Sequence, residues 1–236
     1  MITVCRNAEE TIETTLCSVS EQVNVRELVE HIVIDGASED DTLEIVKQYS
    51  SIRWISEPDE GISDAFNKGL YLAESEYVLY LNADDYLYDQ NVLRDVIEFI
   101  KDSQHPDWIV GDVVIKKSSE ITAIQNRYPP SCWSLCFRNR ICHQAVFLRR
   151  QTLIEVGGFE KRFKLVMDYD LWQRLCATGY KLVYFPRIIS VYSDEGLTSS
   201  KSPRLVQERQ EVEKRFRNTP LKRLVGNAYD YLKDRN

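Results

Sequence analysis

The chain has 236 residues, of which 43% are hydrophobic and 28% charged, and its net charge at pH 7 is −7. This length fits one large α/β domain or two small ones, and no uncharged run is long enough to predict a membrane-spanning helix. The acidic balance argues against a nucleic-acid partner, and the lack of a signal-peptide pattern predicts a cytoplasmic protein.

The first hundred residues alternate short apolar runs with helical patterns, which is typical of β-α-β units around a parallel sheet. The predicted strands cover residues 2–5, 31–35, 52–55 and 77–81. The helices between them carry apolar stripes at Ile12, Leu16 and Val19, at Ile45, Val46 and Tyr49, and at Ala65, Phe66 and Leu70. Asn7, Ser38 and Asp64 are expected to cap or open these helices.

The second half of the chain is less regular. The predicted helices cover residues 92–100, 168–177 and a segment that ends at Val156, and the predicted strands cover residues 108–115, 145–148 and 181–185. One or two amphipathic helices are expected from Pro203 onward. Because no internal repeat or low-complexity linker interrupts the chain, we predict one domain over residues 1–200 and a helical tail over residues 201–236.

The predicted tail is basic, with ten Lys/Arg and five Asp/Glu residues, a net charge of +5. This pattern favours a solvated helix face. The alternative is contact with anionic lipid or with a phosphate-bearing acceptor, which would bring the protein to the inner face of a membrane.

The six cysteines lack the paired spacing of a zinc site, and without an export signal we expect them to be reduced thiols. They are Cys5, Cys17, Cys132, Cys136, Cys142 and Cys176. The four-residue spacing of Cys132 and Cys136 fits two neighbours on one helix face better than a metal site.

Two adjacent carboxylates, Asp84 and Asp85, follow the fourth predicted strand. Neighbouring negative charges repel each other and resist desolvation, so a cation or a strong set of donors must compensate them. A divalent ion suits this task, because hard cations bind carboxylate oxygens and bridge them to phosphates. The pair therefore predicts a site for Mn²⁺ or Mg²⁺.

In an open parallel sheet, ligands bind beyond the carboxyl ends of the strands, where polar loops of this chain also lie. The loop after the first strand, residues 5–9, has no glycine and carries an acid. It therefore fits neither a dinucleotide-binding dehydrogenase nor a P-loop protein. A metal on the acidic pair would hold the phosphates instead, which points to a nucleotide diphosphate that acts as a leaving group.

A set of short motifs spans nearly the whole chain. In order they are Ile2–Asn7, His31–Ser38, Ser56–Gly61, Asn67–Gly69, Leu81–Asp85, Gly111-Asp112, His143-Gln144, Gly157–Phe159, Met167–Trp172 with Arg174, and Glu195-Gly196. With these motifs the chain resembles the family 2 inverting glycosyltransferases of GT-A fold, in particular bacterial members that build exopolysaccharide, capsule or lipopolysaccharide. The resemblance implies an α/β, Rossmann-like fold with a mostly parallel central sheet and C-terminal helices.

The resemblance assigns the nucleotide pocket to the first two strands. Asp35 matches the acid that accepts the N3–H of uracil, so a UDP-sugar is the expected donor; the alternative is a charge that favours the next helix N-terminus. Thr3, Cys5 and Arg6 would line the same pocket, mainly through backbone atoms. Arg6 stands where the family often has tyrosine, and a guanidinium can also stack on a base.

On the same basis, Asp85 would be the direct metal ligand, and Asp84 would face the ribose or share the metal. Asn82 stands in place of an acid of the family motif, which removes one negative charge from the site. The expected contacts of the donor sugar are Asp59, Asp64 and Asn67.

Asp168 matches the catalytic base, which takes the proton of the acceptor hydroxyl as that oxygen attacks the anomeric carbon. A predicted helix N-terminus would keep it ionised, and Asp170 is the rival carboxylate. Met167 stands where the family usually has an acid. The resemblance assigns contacts with the acceptor or the diphosphate to His143, Gln144, Asp170 and Trp172. The alternatives are a structural role for His143 and Asp170 and core packing for Trp172.

These assignments predict a metal-dependent, inverting transfer of a sugar to a hydroxyl group of a saccharide or lipid-linked saccharide. The alternative is a non-catalytic nucleotide-sugar-binding protein, which the joint presence of Asp84, Asp85 and Asp168 disfavours. A metal-dependent phosphatase or nucleotidyltransferase would need a nucleophilic aspartate or a basic glycine-rich loop after the first strand, and the sequence has neither there.

Overall fold

A computed structural model describes residues 1–25, 27–117, 120–125, 130–135, 139, 141–193 and 202–216. Cys136, the Glu195-Gly196 motif and the tail beyond residue 216 lie outside these ranges. Within them, no helix combines the length and the apolar character that a membrane crossing needs.

The secondary structure alternates strands and helices in the first half and is more mixed in the second. The strands are β1 (Ile2–Cys5), β2 (His31–Asp35), β3 (Ile52–Ser56), β4 (Tyr77–Val78), β5 (Tyr80–Asn82), β6 (Tyr86–Leu87), β7 (Trp108–Lys117), β8 (Glu120–Gln125), β9 (Val146–Arg149) and β10 (Leu182–Ser193). The helices are α1 (Ile12–Ser20), α2 (Thr42–Val46), α3 (Ile62–Leu72), α4 (Val92–Asp102), α5 (Cys132–Leu135), α6 (Arg150–Glu155), α7 (Met167–Thr178) and α8 (Pro203–Phe216), and a 3₁₀ turn covers His143–Ala145.

The first sheet is parallel and has the order β3-β2-β1-β5. Backbone pairing sets Cys5 beside Asp35 and Asp35 beside Ser56. β1 and β2 are buried along their whole length, as expected for a parallel sheet that is covered on both faces. Because the strands run in one direction, the loops after β1, β2, β3 and β5 meet at one edge of this sheet.

The predicted strand 77–81 is two strands that belong to different sheets. β4 pairs antiparallel with β9, whereas β5 pairs parallel with β1. Leu79 lies buried between them, and its carbonyl accepts the N–H of Ile2 at 2.9 Å. A continuous apolar run does not reveal this change of partner, because both parts of it are buried.

The second sheet has the order β4-β9-β7-β10-β6, with β8 paired to β7. β7 and β10 run parallel. β10 extends to Ser193, well beyond the predicted end at Phe185, and its register shifts between Tyr184 and Ile188. This irregularity accommodates Pro186, which has no N–H for the ladder. The extension brings Ser193 to the acidic pair.

The largest core cluster contains residues of both sheets and of α3 and α7. Phe66 on α3 stacks on Tyr80 with ring centres 4.4 Å apart, and Trp108 on β7 stacks on Trp172 with ring centres 5.5 Å apart. Aromatic pairs of this kind add to the stability from buried area. The first pair holds α3 against the first sheet, and the second pair holds α7 against the second sheet.

Hydrogen bonds join the loop after β1 to the loop after β2. They involve Asn7 and Ser38, which the sequence predicted to cap helices. Asn7 donates its N–H to Ser38 Oγ at 2.8 Å, and its Oδ1 accepts the N–H of Glu39 at 2.9 Å. α1 begins after Thr11 and α2 after Asp41. The prediction that Asn7 and Ser38 cap helices is therefore wrong, because their polar groups bond within the loops.

Two of the six cysteines form a disulfide, so the prediction of six reduced thiols is wrong. Cys132 on α5 is bonded to Cys176 on α7, with Cα atoms 5.5 Å apart and a sequence separation of 44. The pairing depends on how α5 packs on α7, which spacing along the chain does not indicate. Cys5, Cys17 and Cys142 are free thiols.

Helix α8 is the described part of the predicted tail, and it packs on the domain. Val212 is fully buried, and Glu208 and Phe216 are each 6% exposed. These residues recur every four positions, so they share one face of the helix. The prediction of a solvated helix is therefore wrong for this face.

Candidate active site

Asp35 ends β2 with no exposed surface. Its Oδ2 accepts the N–H of Ser38 at 3.1 Å and the hydroxyl of Ser56 at 2.5 Å, and its Oδ1 accepts the hydroxyl of Ser38 at 2.5 Å. Hydrogen bonds to a carboxylate are strong and fix its orientation. Asp35 is thus a preset acceptor at the edge where the loops of the first sheet meet.

The other residues predicted for the nucleotide pocket differ in their positions. Arg6 is exposed at the start of the loop after β1. The Cys5 thiol lies 3.7 Å from Asp35 Oδ1, and burial, helped by this charge, raises its pKa well above the usual range. Thr3 is fully buried between β2 and β5, with Oγ1 3.0 Å from His31 Nε2. The Thr3 side chain is therefore part of the core, which leaves only its backbone for the predicted pocket role.

The acidic pair lies in the turn between β5 and β6. Asp85 has no exposed surface; its Oδ2 accepts Gln144 Nε2 at 2.9 Å, and its Oδ1 accepts the N–H of Ser193 at 3.1 Å. Burial, together with the charge of Asp84, raises the pKa of Asp85 to about 8. Burial also raises the pKa of the half-buried Asp84. The two neutral donors therefore do not fully compensate the charge of Asp85.

This set of side chains fits a hard divalent cation. Carboxylates with raised pKa values gain most when a positive ion takes the place of the proton. Nearby, the buried Oδ1 of Asn82 has no hydrogen-bond partner among the described residues. Among all the residues that the structure describes, no three or more His, Cys, Asp or Glu side chains form a group that could hold a metal ion by themselves. Further ligands would therefore come from phosphate and water, as is usual for Mg²⁺.

The 3₁₀ turn before β9 carries Gln144, the side-chain partner of Asp85. Gln144 is 2% exposed, and its carbonyl accepts the hydroxyl of Ser190 at 2.8 Å. The ring of His143 packs edge-on against the ring of Phe66, with ring centres 5.4 Å apart. Burial lowers the pKa of His143 to about 4. Gln144 therefore supports Asp85, whereas His143 is neutral at pH 7 and lies in aromatic surroundings.

Asp168 lies in the first turn of α7. Its Oδ2 accepts Asn139 Nδ2 at 3.3 Å, and its Oδ1 accepts the N–H of Tyr169 at 2.6 Å. Burial raises the pKa of Asp168 to about 6, so desolvation outweighs the helix terminus that was expected to keep the group ionised. A carboxylate with this pKa is still mostly ionised at pH 7 and is a better base than an exposed one.

One short segment joins Asp168 to the acidic pair. Asn139 bonds to Asp168, and Gln144, five residues further along the chain, bonds to Asp85. The thiol of Cys142 in this segment has a pKa raised to about 12, first by burial and then by the charges of Asp168 and Asp85. The structure thus brings together two carboxylates that are far apart in the sequence.

Two residues predicted to contact the acceptor or the diphosphate belong to the interior. Asp170 has no exposed surface and pairs with Arg174 at 2.8 Å and with Arg215 at 3.1 Å. Two positions along a helix correspond to a rotation of about 200°, so Asp170 points away from the face that carries Asp168. Trp172 is fully buried and stacks on a core tryptophan. Neither side chain is open to an acceptor, so Asp170 orients the structure and Trp172 packs in the core.

Of the three residues predicted to contact the donor sugar, Asp59 is the most open. Asp64 is 7% exposed and pairs with Lys161 at 2.6 Å, and this hydrogen bond lowers its pKa. Asn67 Nδ2 donates to the carbonyl of Phe159, and Asn67 Oδ1 accepts the N–H of Phe159, both at 2.8 Å. Asp64 and Asn67 thus hold neighbouring segments, and their contact with the donor sugar stays a prediction.

Three contacts of the site have no signal in the sequence. They are Ser56 with Asp35, Ser193 with Asp85, and Asn139 with Asp168. Each contact joins segments that are distant in the chain. Ser193 uses its backbone N–H group, which any residue except proline could supply, and serine and asparagine are common, so residue type does not reveal these contacts.

The sequence matches a known family over most of its length. The family model described as "Glycosyl transferase family 2" matches residues 1–158. The "PGL/p-HBAD biosynthesis glycosyltransferase" of Mycobacterium bovis (strain BCG / Pasteur 1173P2) is 32% identical over 174 residues, which cover 71% of this chain and 66% of that protein. The chain thus spans slightly less than two thirds of the length of this relative.

Solved structures share the fold. S. aureus TarS (residues 1–349) in complex with UDP-GlcNAc has a TM-score of 0.76 at 19% identity, over 95% of this chain and 68% of that one. The mannosyltransferase PcManGT from Pyrobaculum calidifontis, in complex with GDP-Man and Mn²⁺, has a TM-score of 0.61 at 21% identity, over 89% and 59%. The predicted α/β GT-A fold is confirmed.

Proposed function

Because the chain belongs to glycosyl transferase family 2, we propose that it transfers a sugar from a nucleotide-diphosphate donor to an acceptor hydroxyl, with inversion at the anomeric carbon. The observation that carries the proposal is that Asn139 contacts Asp168 while Gln144, five residues further along, contacts Asp85. One short stretch of the chain thus contacts both the base for the acceptor and the acid that can bind a metal at the diphosphate, which supports their acting in one reaction.

Asp168 is the proposed catalytic base. It takes the proton of the acceptor hydroxyl while the hydroxyl oxygen forms a bond to the anomeric carbon. The bond from that carbon to the diphosphate oxygen breaks at the same time, and its electron pair leaves with the nucleotide diphosphate. A single displacement of this kind inverts the configuration. The pKa of about 6 and the hydrogen bond from Asn139 support this role, because the base is ionised and oriented at pH 7.

Asp85 and Asp84 are the proposed ligands of Mn²⁺ or Mg²⁺. Such an ion, when bound, would neutralise the charge that develops on the leaving diphosphate. Gln144 and Ser193 anchor Asp85, while Asp84 is the more exposed of the two acids. The Mn²⁺ in the complex of PcManGT supports a divalent ion in this fold.

Asp35 and Arg6 are proposed to bind the base of the donor. A carboxylate fits the imide N3–H of uracil, so we favour a UDP-sugar, and Arg6 is proposed to stack on the base. The complex of TarS with UDP-GlcNAc supports this choice, whereas PcManGT binds GDP-Man. The fold alone does not select the donor.

The proposed acceptor is a saccharide or lipid-linked saccharide in cell-surface polysaccharide synthesis. We propose that the reaction takes place in the cytoplasm and that the net positive charge of residues 201–236 favours contact with the anionic inner face of the membrane. The name of the mycobacterial relative, a glycosyltransferase of PGL/p-HBAD biosynthesis, supports a biosynthetic role.

A thermal-shift screen tests the proposed donor and metal. UDP-, GDP- and dTDP-sugars are added with and without Mn²⁺, and we expect the largest increase in Tm for a UDP-sugar with Mn²⁺. Asp85→Ala should lose the Mn²⁺-dependent part of the shift, and Asp102→Ala, at an exposed acid on α4, should keep it. A shift of equal size without Mn²⁺ would refute the metal role, and the absence of any shift would refute nucleotide-sugar binding.

A further inference from the structure

Helix α8 carries a buried carboxylate, Glu208, that binds backbone N–H groups of another segment. Its Oε2 accepts the N–H groups of Lys164 at 3.0 Å and Leu165 at 2.8 Å, and its Oε1 accepts Arg204 Nε at 2.7 Å. Both N–H groups belong to residues 160–167, which we name the base-leading segment. Charged acceptors hold N–H groups more strongly than neutral ones do, so Glu208 is a strong anchor for this backbone.

The base-leading segment ends at the residue before Asp168, and the start of α3 holds it from another side. Ser63 Oγ donates to the carbonyl of Phe163 at 2.6 Å, and Lys161 Nζ pairs with Asp64 at 2.6 Å. The segment is thus bound to both α3 and α8. Because it leads directly into the first turn of α7, its position sets the position of Asp168.

Further contacts join α8 to the same region. Arg215 on α8 pairs with Asp170 on α7 at 3.1 Å, and Glu211 on α8 pairs with Arg162 in the base-leading segment. Val212 is fully buried between these ion pairs along the helix. Over the described residues, α8 is therefore an integral support of α7.

We propose that Glu208 is a positioning residue for Asp168. Its carboxylate fixes the backbone at Lys164 and Leu165, this backbone fixes the first turn of α7, and that turn presents Asp168 to Asn139. The role of Glu208 in catalysis rests on the proposed function. Its contact with the base-leading segment is observed whatever the function is. Helix α8 thus contributes to the reaction by fixing the backbone of the base-leading segment.

Glu208→Gln tests this proposal, with Glu213→Gln as the matched control. Glu213 lies on the same helix, half-exposed, and pairs with Arg209 at 3.1 Å. Glutamine keeps the size of the side chain but removes its charge and replaces one acceptor oxygen by an NH₂ group, so it can no longer accept strong hydrogen bonds from both the backbone N–H groups and Arg204. Hydrogen exchange in a peptide that covers residues 160–168 should become about tenfold faster in Glu208→Gln. The control should exchange like the wild type.

The titration of Asp168 is a second readout, and a loss of global stability alone would not move it. Carboxyl ¹³C NMR, with Asp168→Asn to assign the signal, should give a lower pKa for Asp168 in Glu208→Gln than in the wild type. The reason is that a displaced carboxylate regains contact with water. The control should keep the wild-type value of about 6.

The proposal is wrong if both readouts of Glu208→Gln equal those of the control. Faster exchange with an unchanged pKa of Asp168 would also contradict it, because Glu208 would then only stiffen the segment. Glu208→Asp keeps the charge with a shorter reach and should lie between the wild type and Glu208→Gln; it decides the question if the glutamine variant does not fold. Full transferase activity of Asp168→Asn would refute the proposed function and leave both readouts as tests of the contact.

Discussion

Asp85 shows how burial and binding are linked in one side chain. Its carboxylate has no exposed surface, and Asp84 adds repulsion, so its pKa lies at about 8 instead of 3.8. Between these two values the folded protein retains a proton that the unfolded chain has lost. This group therefore lowers stability progressively as the pH rises through that range, as long as no cation is bound.

We expect Asp85→Asn to raise the Tm of the metal-free protein at pH 8. The amide carries no charge to bury, and Gln144 can turn its own amide to keep the hydrogen bond. The gain over wild type should shrink as the pH falls toward about 5.5, where the wild-type acid is protonated. Scanning fluorimetry with a chelator present measures both effects.

The control for this prediction is Asp89→Asn. Although Asp89 is partly desolvated, the hydrogen bond from Arg187 lowers its pKa, so its charge stabilises the fold at pH 8. This variant should lower the Tm. If Asp85→Asn lowers the Tm at pH 8 as well, the charge of Asp85 is not the destabilising group that we describe.

Helix α7 is the element that depends most visibly on distant segments. The carbonyl of Leu135 on α5 accepts Gln173 Nε2 at 2.6 Å and the hydroxyl of Tyr169 at 3.2 Å. The disulfide from Cys132 to Cys176 joins the same two helices. α5 therefore supports α7 near its centre, whereas α8 supports the segment before it.

Loss of the disulfide should lower the free energy of unfolding by about 3 to 5 kcal/mol, because the crosslink restricts the unfolded chain. Denaturant unfolding of Cys176→Ser, or of the wild type with dithiothreitol, measures the change. Cys17→Ser removes a free thiol and should respond to dithiothreitol as the wild type does. Equal unfolding midpoints with and without the reductant, or alkylation of Cys176 before reduction, would show that the bond does not form.

Elements with a local signal could be predicted from the sequence. β1, β2 and β3 are short runs bounded by polar loops, and the structure confirms them to within one residue at each end. The split of residues 77–81 and the length of β10 could not be predicted, because each depends on which strand lies alongside. The pairing of Cys132 with Cys176 depends on tertiary packing in the same way.

For the whole molecule, the acids of the site and one of their supports, Gln144, could be located from the sequence, but the other supports could not. Asp84, Asp85 and Asp168 stand in recognisable motifs, and the structure brings Asp85 and Asp168 to one segment. The family match ends at residue 158, so Asp168 lies beyond it. Glu208, further along, has no motif at all, because its role comes from a contact across more than forty residues.

The most direct measurement compares Asp168→Asn with the wild type in two assays: release of nucleotide diphosphate from the donor that the thermal-shift screen identifies, and binding of UDP. We predict that kcat falls by about 10³-fold, while the Kd for UDP changes by less than about twofold. Asp102→Asn should match the wild type in both assays. An Asp168→Asn enzyme with wild-type kcat would contradict the assignment of the base and, with it, the proposed reaction.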